Sequence, residues 1–224
     1  MTTLALDHAA VVGGHTLFKK NVFDAATYPY KVIKVPTDIK LGKKVKKGKL
    51  RGAKIYILTL EERATCDYSC EHWLDCYGNN MPFAHRFLAN DALYPAIVRD
   101  LDEIDSKGKP YQLRLHVLGD FFSLKYVNFW KSQLQNRELL NIYGYTRNHP
   151  IKPIGKSILS VRNKYKERFS IRFSNYPDDP MSAQSENVST DGIGCPHQLG
   201  LSESCGDCAL CWTMQTKPVI FYDH

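Results

Sequence analysis

The seven cysteines of this chain fall into two groups that lie far apart in the sequence. The first group is Cys66, Cys70 and Cys76, and the second is Cys195, Cys205, Cys208 and Cys211. An odd number of cysteines and gaps of only two residues disfavour a framework of disulfides. Closely spaced thiolates are suited to zinc or to iron–sulfur clusters. The pattern therefore predicts two metal centres.

The two groups predict centres of different kinds. Four cysteines complete the ligand set of a tetrahedral zinc ion or of a [4Fe-4S] cluster, and the short steps between Cys205, Cys208 and Cys211 favour the cluster, with zinc as the alternative. Three cysteines leave one position free, as a catalytic centre requires when a substrate or cofactor binds the metal. A fourth ligand from His72 or His85 would instead close a structural site.

Strand-like and helix-like segments alternate four times after residue 54, which predicts an α/β fold. The sheet is expected to be a partial (βα) barrel or an open, mostly parallel sheet, followed by a C-terminal cysteine-rich metal module. The predicted strands are 30–35, 55–60, 113–118, 140–146, 170–174 and the apolar centre of 218–224. The predicted helices are 81–107, 123–135 and 155–168. The predicted divisions are an N-terminal segment with a basic stretch (1–54), the α/β core with the three-cysteine loop (55–176), and a loop with the four-cysteine module and a final strand (177–224).

Polar residues follow three of these strands at their carboxyl ends, namely Asp120, Arg147 and the pair 174–175. Because the carboxyl ends of parallel strands meet at one edge, we expect these residues to gather beside the three-cysteine loop. Asp120 and Arg147 are the candidate catalytic residues. Two simpler interpretations stay open: Asp120 caps the following helix, and Arg147 and Asn175 serve ordinary turns.

A strand, a three-cysteine loop and then helix–strand alternation resemble the radical S-adenosylmethionine enzymes. In that family three cysteines bind a four-iron cluster whose free iron is chelated by S-adenosylmethionine. The usual gaps are three and two residues, whereas here they are three and five. The resemblance implies that Leu118-Gly119-Asp120 stands where the family has a glycine-glycine-glutamate motif contacting the cofactor. It implies cofactor-binding roles for Tyr77, Gly119, Asp120, Ser174 and Asn175.

Three further stretches resemble an uncharacterised bacteriophage family called gene product 88. They are Cys76-Tyr-Gly-Asn-Asn-Met-Pro-Phe-Ala-His-Arg86, His116-Val-Leu-Gly-Asp-Phe-Phe122 and Cys205-Gly-Asp-Cys-Ala-Leu-Cys-Trp212. This resemblance covers residues 50–224. It implies a phage origin and both cysteine groups, and it supplies no reaction.

The net charge of +7 is concentrated in residues 40–54, where eight positive charges occur among fifteen residues without an acidic one. Such a stretch suits contact with nucleic-acid phosphates, or is a solvated linker. The candidate phosphate-binding residues are Lys43, Lys44, Lys46, Lys47, Lys49 and Arg51. Since the sequence has no long apolar run and no basic leader, neither a membrane span nor secretion is expected. The predicted location is the cytoplasm, that of the host if a phage encodes the chain.

Two functions follow from these features. The first is a minimal enzyme resembling the radical S-adenosylmethionine proteins, with a catalytic and an auxiliary [4Fe-4S] cluster, an electron donor as partner, and a nucleic acid or nucleotide as a candidate substrate. The alternative is a non-enzymatic phage protein that binds nucleic acid and whose fold is stabilised by zinc or iron–sulfur centres. A metal-dependent nuclease using Asp120 lacks a second acidic residue in the sequence pattern.

Overall fold

A computed structural model of the chain describes residues 2–187, 191–213 and 215–222. Its helices are α1 (Ala9–Val12), α2 (Leu93–Asp105), α3 (Leu124–Asn136), α4 (Pro153–Lys164), α5 (Cys205–Cys208) and α6 (Leu210–Thr213). Its strands are β1 (Val22–Phe23), β2 (Lys54–Ile57), β3 (Arg86–Phe87), β4 (Tyr111–Leu115), β5 (Leu140–Thr146), β6 (Phe169–Phe173), β7 (Ala183–Ser185), β8 (Ile193–Gly194) and β9 (Val219–Phe221).

The central sheet contains four strands in the order β2, β4, β5 and β6, and every neighbouring pair is parallel. Each connection carries one of the helices α2, α3 and α4. Right-handed crossovers between neighbouring strands place such helices on one face of a sheet. The core on that face contains side chains from all of these elements, including Tyr56, Leu113, Ile142, Ile171, Ile97, Trp130 and Ile158. Burying each aliphatic side chain contributes about 1.5–3 kcal/mol.

The helix predicted over 81–107 begins only at Leu93, so the prediction was wrong for residues 81–92. The reason is tertiary. The buried Arg86 guanidinium donates hydrogen bonds to the carbonyl oxygens of Gly78, Met81 and Ala84, and β3 pairs with β1. These contacts hold the backbone out of a helix despite its apolar periodicity. Pro95 lies in the first turn of α2, where the missing N–H leaves no bond unmade.

The strand predicted at 30–35 is also absent from the described structure. This segment makes only an isolated bridge between Lys34 and Ile57. The backbone amides of Val32 and Ile33 instead donate to the buried carboxylate of Asp100 on α2, at 2.6 and 3.0 Å. A side-chain acceptor has therefore replaced the neighbouring strand that the alternating pattern implied.

The second face of the central sheet is unusually polar. Side chains that belong to this face are Gln112, Arg114, Tyr143, Tyr145, Ser170 and Arg172. Parallel sheets covered on both faces are normally apolar on both. Here α6 covers part of the face, with Trp212 and Tyr143 ring centroids 4.6 Å apart and Arg172 Nε donating to the Cys211 carbonyl at 2.9 Å. The polar face therefore forms part of the wall of a cavity.

The fold prediction is confirmed as mixed α/β with mostly parallel sheets. Within the described ranges the central sheet is open, with β2 and β6 at its edges, and no barrel closes. A small parallel sheet, β7-β9-β8, and the helices α5 and α6 form the C-terminal part that carries four cysteines. The predicted final strand is present as β9, and residues 223 and 224 lie outside the described part of the chain.

Candidate functional site

All seven cysteines line one cavity of about 460 Å³. It lies over the polar face and the carboxyl-end rim of the central sheet. Of the predicted site residues, the cavity wall includes Tyr77, Gly119, Arg147, Ser174 and Asn175. Asp120 lies directly behind this wall, hydrogen-bonded to Arg147. The structure therefore gathers residues that the sequence separates by more than a hundred positions, as the parallel topology predicts.

The thiols of the three-cysteine loop lie close to one another and to the buried Asp120. Burial raises the pKa of Cys66 well above its ordinary value, and charges on Asp120, Cys70 and Cys76 raise it further. Burial likewise raises the pKa of Cys76 to about 11. The pKa of Cys70 is raised by burial, while the nearby Arg147 lowers it. Three thiols are therefore held protonated at neutral pH until a cation compensates their charge.

A buried ion pair fixes the base of this loop. Glu62 accepts two hydrogen bonds from Arg86, at 2.6 and 3.0 Å, and both side chains are at most 1% exposed. Glu62 also accepts from Thr16 and lines the cavity. A Cβ on Gly78 would lie 2.6 Å from the Glu62 carboxylate, so only glycine fits there. The sequence analysis missed this pair, because its partners lie twenty-four residues apart.

The outer part of the loop is tied to the strand ends by polar contacts. Glu71, next to Cys70, accepts a hydrogen bond from Arg147 Nη2 at 2.7 Å and another from the side-chain amide of Asn175. Arg147 Nη1 also donates to the Ser174 carbonyl at 3.0 Å. Arg147 and Asn175 thus hold the cysteine loop against the carboxyl-end rim of the sheet. The two residues therefore do more than form ordinary turns. His72 lines the cavity, whereas the His85 ring nitrogen lies 2.7 Å from the Tyr28 hydroxyl.

Asp120 is a buried hydrogen-bond acceptor behind the loop. Its carboxylate accepts from the Thr146 hydroxyl at 2.7 Å and from the amides of Phe121 and Arg147 at 2.6 and 2.8 Å. Burial raises its pKa to about 6, although these hydrogen bonds lower it. The interpretation of Asp120 as a helix cap is wrong, since Ser123 caps α3 by accepting from the Tyr126 amide.

The raised pKa of Asp120 predicts a specific pH dependence of stability. The folded state binds more protons than the unfolded state between the ordinary value of 3.8 and about 6. The free energy of unfolding should therefore fall by about 3 kcal/mol as pH rises through this window. Measured against Asp120→Asn, which does not titrate, the wild-type advantage should shrink between pH 4 and pH 7 in denaturant titrations. A pH-independent difference would contradict the raised pKa.

Gly119 is required by its backbone and by its surroundings. Its φ is +83°, and a Cβ would lie 2.5 Å from Thr65 Oγ1 and 2.7 Å from Leu60 Cβ. Gly119→Ala should therefore lower the free energy of unfolding by about 2–4 kcal/mol, through strain and overpacking. Gly52→Ala is the matched control, because φ there is +89° and the space around it is open. It should cost only about 1 kcal/mol. Equal losses in urea titrations would show that crowding at Gly119 is unimportant.

The four-cysteine group stands against the polar face. The Tyr145 hydroxyl donates to Cys211 Sγ at 2.9 Å, and the backbone carbonyl of Cys211 accepts from Arg172. Burial and, to a lesser extent, the nearby Cys211 raise the pKa of Cys205 to about 12, although Arg114 lowers it. Cys195 and Cys208 likewise raise the pKa of Cys211. These mutual effects place the four thiols near one another.

Part of the basic stretch supports this group through its backbone. The Cys205 amide donates to the Lys40 carbonyl at 2.7 Å, and the Lys46 amide donates to the Gly206 carbonyl at 2.8 Å. A Cβ on Gly206 would lie 2.2 Å from the Lys44 carbonyl oxygen. Lys46 also pairs with Asp207 on α5 at 2.8 Å. Residues 40–46 are therefore held against the four-cysteine helix.

The thiols of the two cysteine groups are suitable ligands for a metal centre. Their separation in the structure, however, does not suit coordination of a single metal ion. Thiolates on soft or borderline metals are the usual partners of buried cysteine groups. Within the described residues, however, no three or more His, Cys, Asp or Glu side chains are close enough to hold a single metal ion. A zinc ion bonded at about 2.3 Å would need its sulfurs within about 4 Å of one another.

The polar wall of the cavity was not anticipated. Arg114, Tyr143, Tyr145 and Gln184 all line it. The first three lie on one face of β4 and β5, where the sequence alternates polar with apolar residues. That alternation was the available signal, because a strand in the middle of a parallel sheet is usually apolar throughout.

Comparisons with known proteins give one match. No curated protein and no solved structure matches the chain, and nothing in these comparisons supports the resemblance to radical S-adenosylmethionine enzymes. In the described part of the chain, no helix combines the length and apolar character needed to cross a bilayer. A family model described as gene product 88 matches residues 38–214, a range that contains every cysteine. The chain therefore belongs to the gene product 88 family.

Proposed function

We propose that this chain is an iron–sulfur enzyme that acts on a substrate bound in the cavity between its two cysteine groups. The observation that carries the proposal is that all seven thiols line one cavity at the rim of an open parallel sheet. Ligand sites of open α/β sheets lie at this edge. Cys66, Cys70 and Cys76 would hold one [4Fe-4S] cluster, and Cys195, Cys205, Cys208 and Cys211 would hold the second.

Two physical points support iron–sulfur clusters. The donors are thiols alone, and such groups are typical ligands of iron–sulfur clusters. Cationic Arg172 flanks the four-cysteine group and would offset part of the negative charge of a bound cluster. Zinc remains the alternative at that group.

The finer form of the proposal is a radical S-adenosylmethionine-like enzyme with an electron donor as partner. A cluster with three thiolate ligands would supply an electron to a molecule bound at its free iron, and S-adenosylmethionine is the molecule that the resemblance implies. The chain itself positions the loop. Asp120 fixes the backbone of Arg147, which holds Glu71 beside Cys70, while Gly119 lets the chain pass Thr65 closely. Tyr77, Ser174 and Asn175 would contact the bound molecule from the cavity wall.

Metal analysis of protein purified without oxygen tests this proposal. The expected result is a brown protein with about eight irons and about eight acid-labile sulfides per chain. Reductive cleavage of S-adenosylmethionine, measured by chromatography, tests the finer form separately. A colourless protein with one or two bound zinc ions would overturn the iron–sulfur assignment. It would favour a non-enzymatic binding protein whose fold is stabilised by zinc.

A second proposed property is nucleic-acid binding by the basic stretch, supported by its exposed cations. Lys43, Lys44, Lys47 and Arg51 are exposed and form no ion pair within the described residues, whereas Lys46 and Lys49 pair with acidic residues. Replacing Lys43, Lys44 and Lys47 with Gln should weaken duplex binding and reduce the slope of log affinity against log salt by up to about 3.

The control for this experiment is a variant with three exposed lysines replaced elsewhere, at Lys109, Lys131 and Lys156. It removes the same charge and should leave the slope nearly unchanged. Fluorescence anisotropy at several salt concentrations measures both variants. Equal slopes for the two variants would remove the basic stretch as the binding surface and leave only the net charge as the cause.

A further inference from the structure

Arg114 stands in the wall of the cavity between the two cysteine groups. It projects from the middle of β4 on the polar face of the sheet. Its guanidinium lies 4.3 Å from the ring centroid of Tyr145 and 5.5 Å from that of Tyr143. Stacking on aromatic rings restricts the rotation of a guanidinium and fixes the direction in which its N–H groups point.

This guanidinium has spare hydrogen-bonding capacity, and none of the acidic side chains that the structure describes forms an ion pair with it. Its one hydrogen bond among the described residues runs from Nη1 to the Leu115 carbonyl at 3.1 Å. Three other arginines of the described structure, by contrast, form ion pairs: Arg86 with Glu62, Arg147 with Glu71 and Arg162 with Asp179. A partly buried cation without a counter-ion is costly unless an anion binds it.

Two more polar atoms in the wall of this cavity have no hydrogen-bond partner among the residues described. The Tyr143 hydroxyl and Gln184 Oε1 are buried and have no hydrogen-bond partner in the described part of the chain. Both residues line the same cavity, and their side chains are 1% and 3% exposed. Buried polar atoms are nearly always satisfied in folded proteins, so such atoms beside an unpaired cation indicate a ligand.

We propose that Arg114 binds an anionic group of the substrate, a phosphate or a carboxylate, between the two cysteine groups. This deepens the proposed enzyme function and rests on it only for the identification of the ligand as substrate. The planar fork of a guanidinium matches the paired oxygens of either anion. The Tyr143 hydroxyl would donate a hydrogen bond to the same anion, whereas Gln184 Oε1 would accept one from a donor group elsewhere on the substrate.

Anion binding by the anaerobically purified full chain tests this assignment. Inorganic phosphate and adenosine 5′-monophosphate are titrated by ³¹P NMR, and acetate is added as a competitor to detect a carboxylate preference. Arg114→Gln should weaken the binding of the preferred anion about 10- to 100-fold, as expected for lost hydrogen bonds to a charged group. Arg114→Lys keeps the charge and loses the fork, so its affinity should lie between those of the wild type and Arg114→Gln.

Two controls separate this role from its rivals. Lys109→Gln removes an exposed charge outside the cavity wall and should change affinity less than twofold, which corrects for net charge. Tyr145→Phe keeps the stacked ring and removes the hydroxyl bonded to Cys211, so anion affinity should be retained. Equal affinities for wild type and Arg114→Gln, or no measurable binding of either anion, would overturn the proposal.

Iron content is measured on the same samples and reports on the clusters alone. Loss of iron in Arg114→Gln with unchanged anion affinity would show that the cation serves the four-cysteine group instead. If the wild-type protein contains no iron but binds anions in an Arg114-dependent way, the proposed iron–sulfur function is contradicted and the anion site is supported. The two ideas can therefore fail independently.

Discussion

Replacing Cys70 with Ala is expected to lower bound iron from about eight to about four per chain, and Cys208→Ala should lower it by the same amount. The reason is that the two cysteine groups would be separate ligand sets in the proposed iron–sulfur protein, since the pKa of a thiol in each group is raised by other thiols of its own group. The double variant should lose nearly all iron. Iron and sulfide analysis after anaerobic purification measures each loss.

The activity of these variants should differ although their iron content is alike. Cys70→Ala removes a ligand of the incompletely ligated centre and should abolish reductive cleavage of S-adenosylmethionine. Ser69→Ala, in the same loop and without a thiol, is the control and should retain full iron. Complete loss of iron in either single variant would show one shared centre, and retained cleavage in Cys70→Ala would contradict the catalytic role of the loop.

Arg86→Leu is expected to lower the free energy of unfolding by about 3–5 kcal/mol, because it leaves the Glu62 carboxylate buried without its partner. The same change removes donors from the carbonyls of Gly78, Met81 and Ala84. The stretch that carries Cys76 should loosen as a result. Urea titration followed by circular dichroism measures the loss, and iron analysis should show it mainly at the three-cysteine centre.

The double variant Glu62→Gln with Arg86→Met distinguishes an orphaned charge from a general packing defect. It should recover part of the stability, since no ionised side chain is left alone, and the three carbonyls should account for the remainder. Lys49→Gln breaks an exposed pair with Glu167 and should leave the urea midpoint unchanged. A loss below about 1 kcal/mol for Arg86→Leu would mean that the loop does not depend on the pair.

Local patterns in the sequence predicted much of the central sheet. The strand predicted at 140–146 is β5, with the same limits, and the predicted convergence of Arg147 and Asn175 on the cysteine loop is present. Both follow from periodicity and from the geometry of parallel strands, which local residues determine. The prediction failed at 81–92, where the buried Arg86 outweighs a helical apolar pattern.

Contacts between distant segments were beyond the reach of the sequence pattern. Nothing in the spacing of the cysteines shows that both groups face one cavity, since that depends on α6 packing against Tyr143. The same holds for the basic stretch, whose charges suggested a polyanion while its backbone bonds to α5. The alternation of polar and apolar residues in β4 marks a polar sheet face that includes Arg114, but it does not show what lies against that face.

The bonds that join residues 40–46 to α5 have a consequence for the order of maturation during synthesis. The Lys40 carbonyl accepts a hydrogen bond from the amide of Cys205, 165 positions later in the chain, and contacts of such long range form late in folding. On the ribosome, residues 40–46 and the three-thiol loop emerge before residues 205–211, so the four thiols acquire their shared surroundings only after both distant segments have been made. In the proposed iron–sulfur protein, metal would therefore reach the four-cysteine group later than the three-cysteine loop.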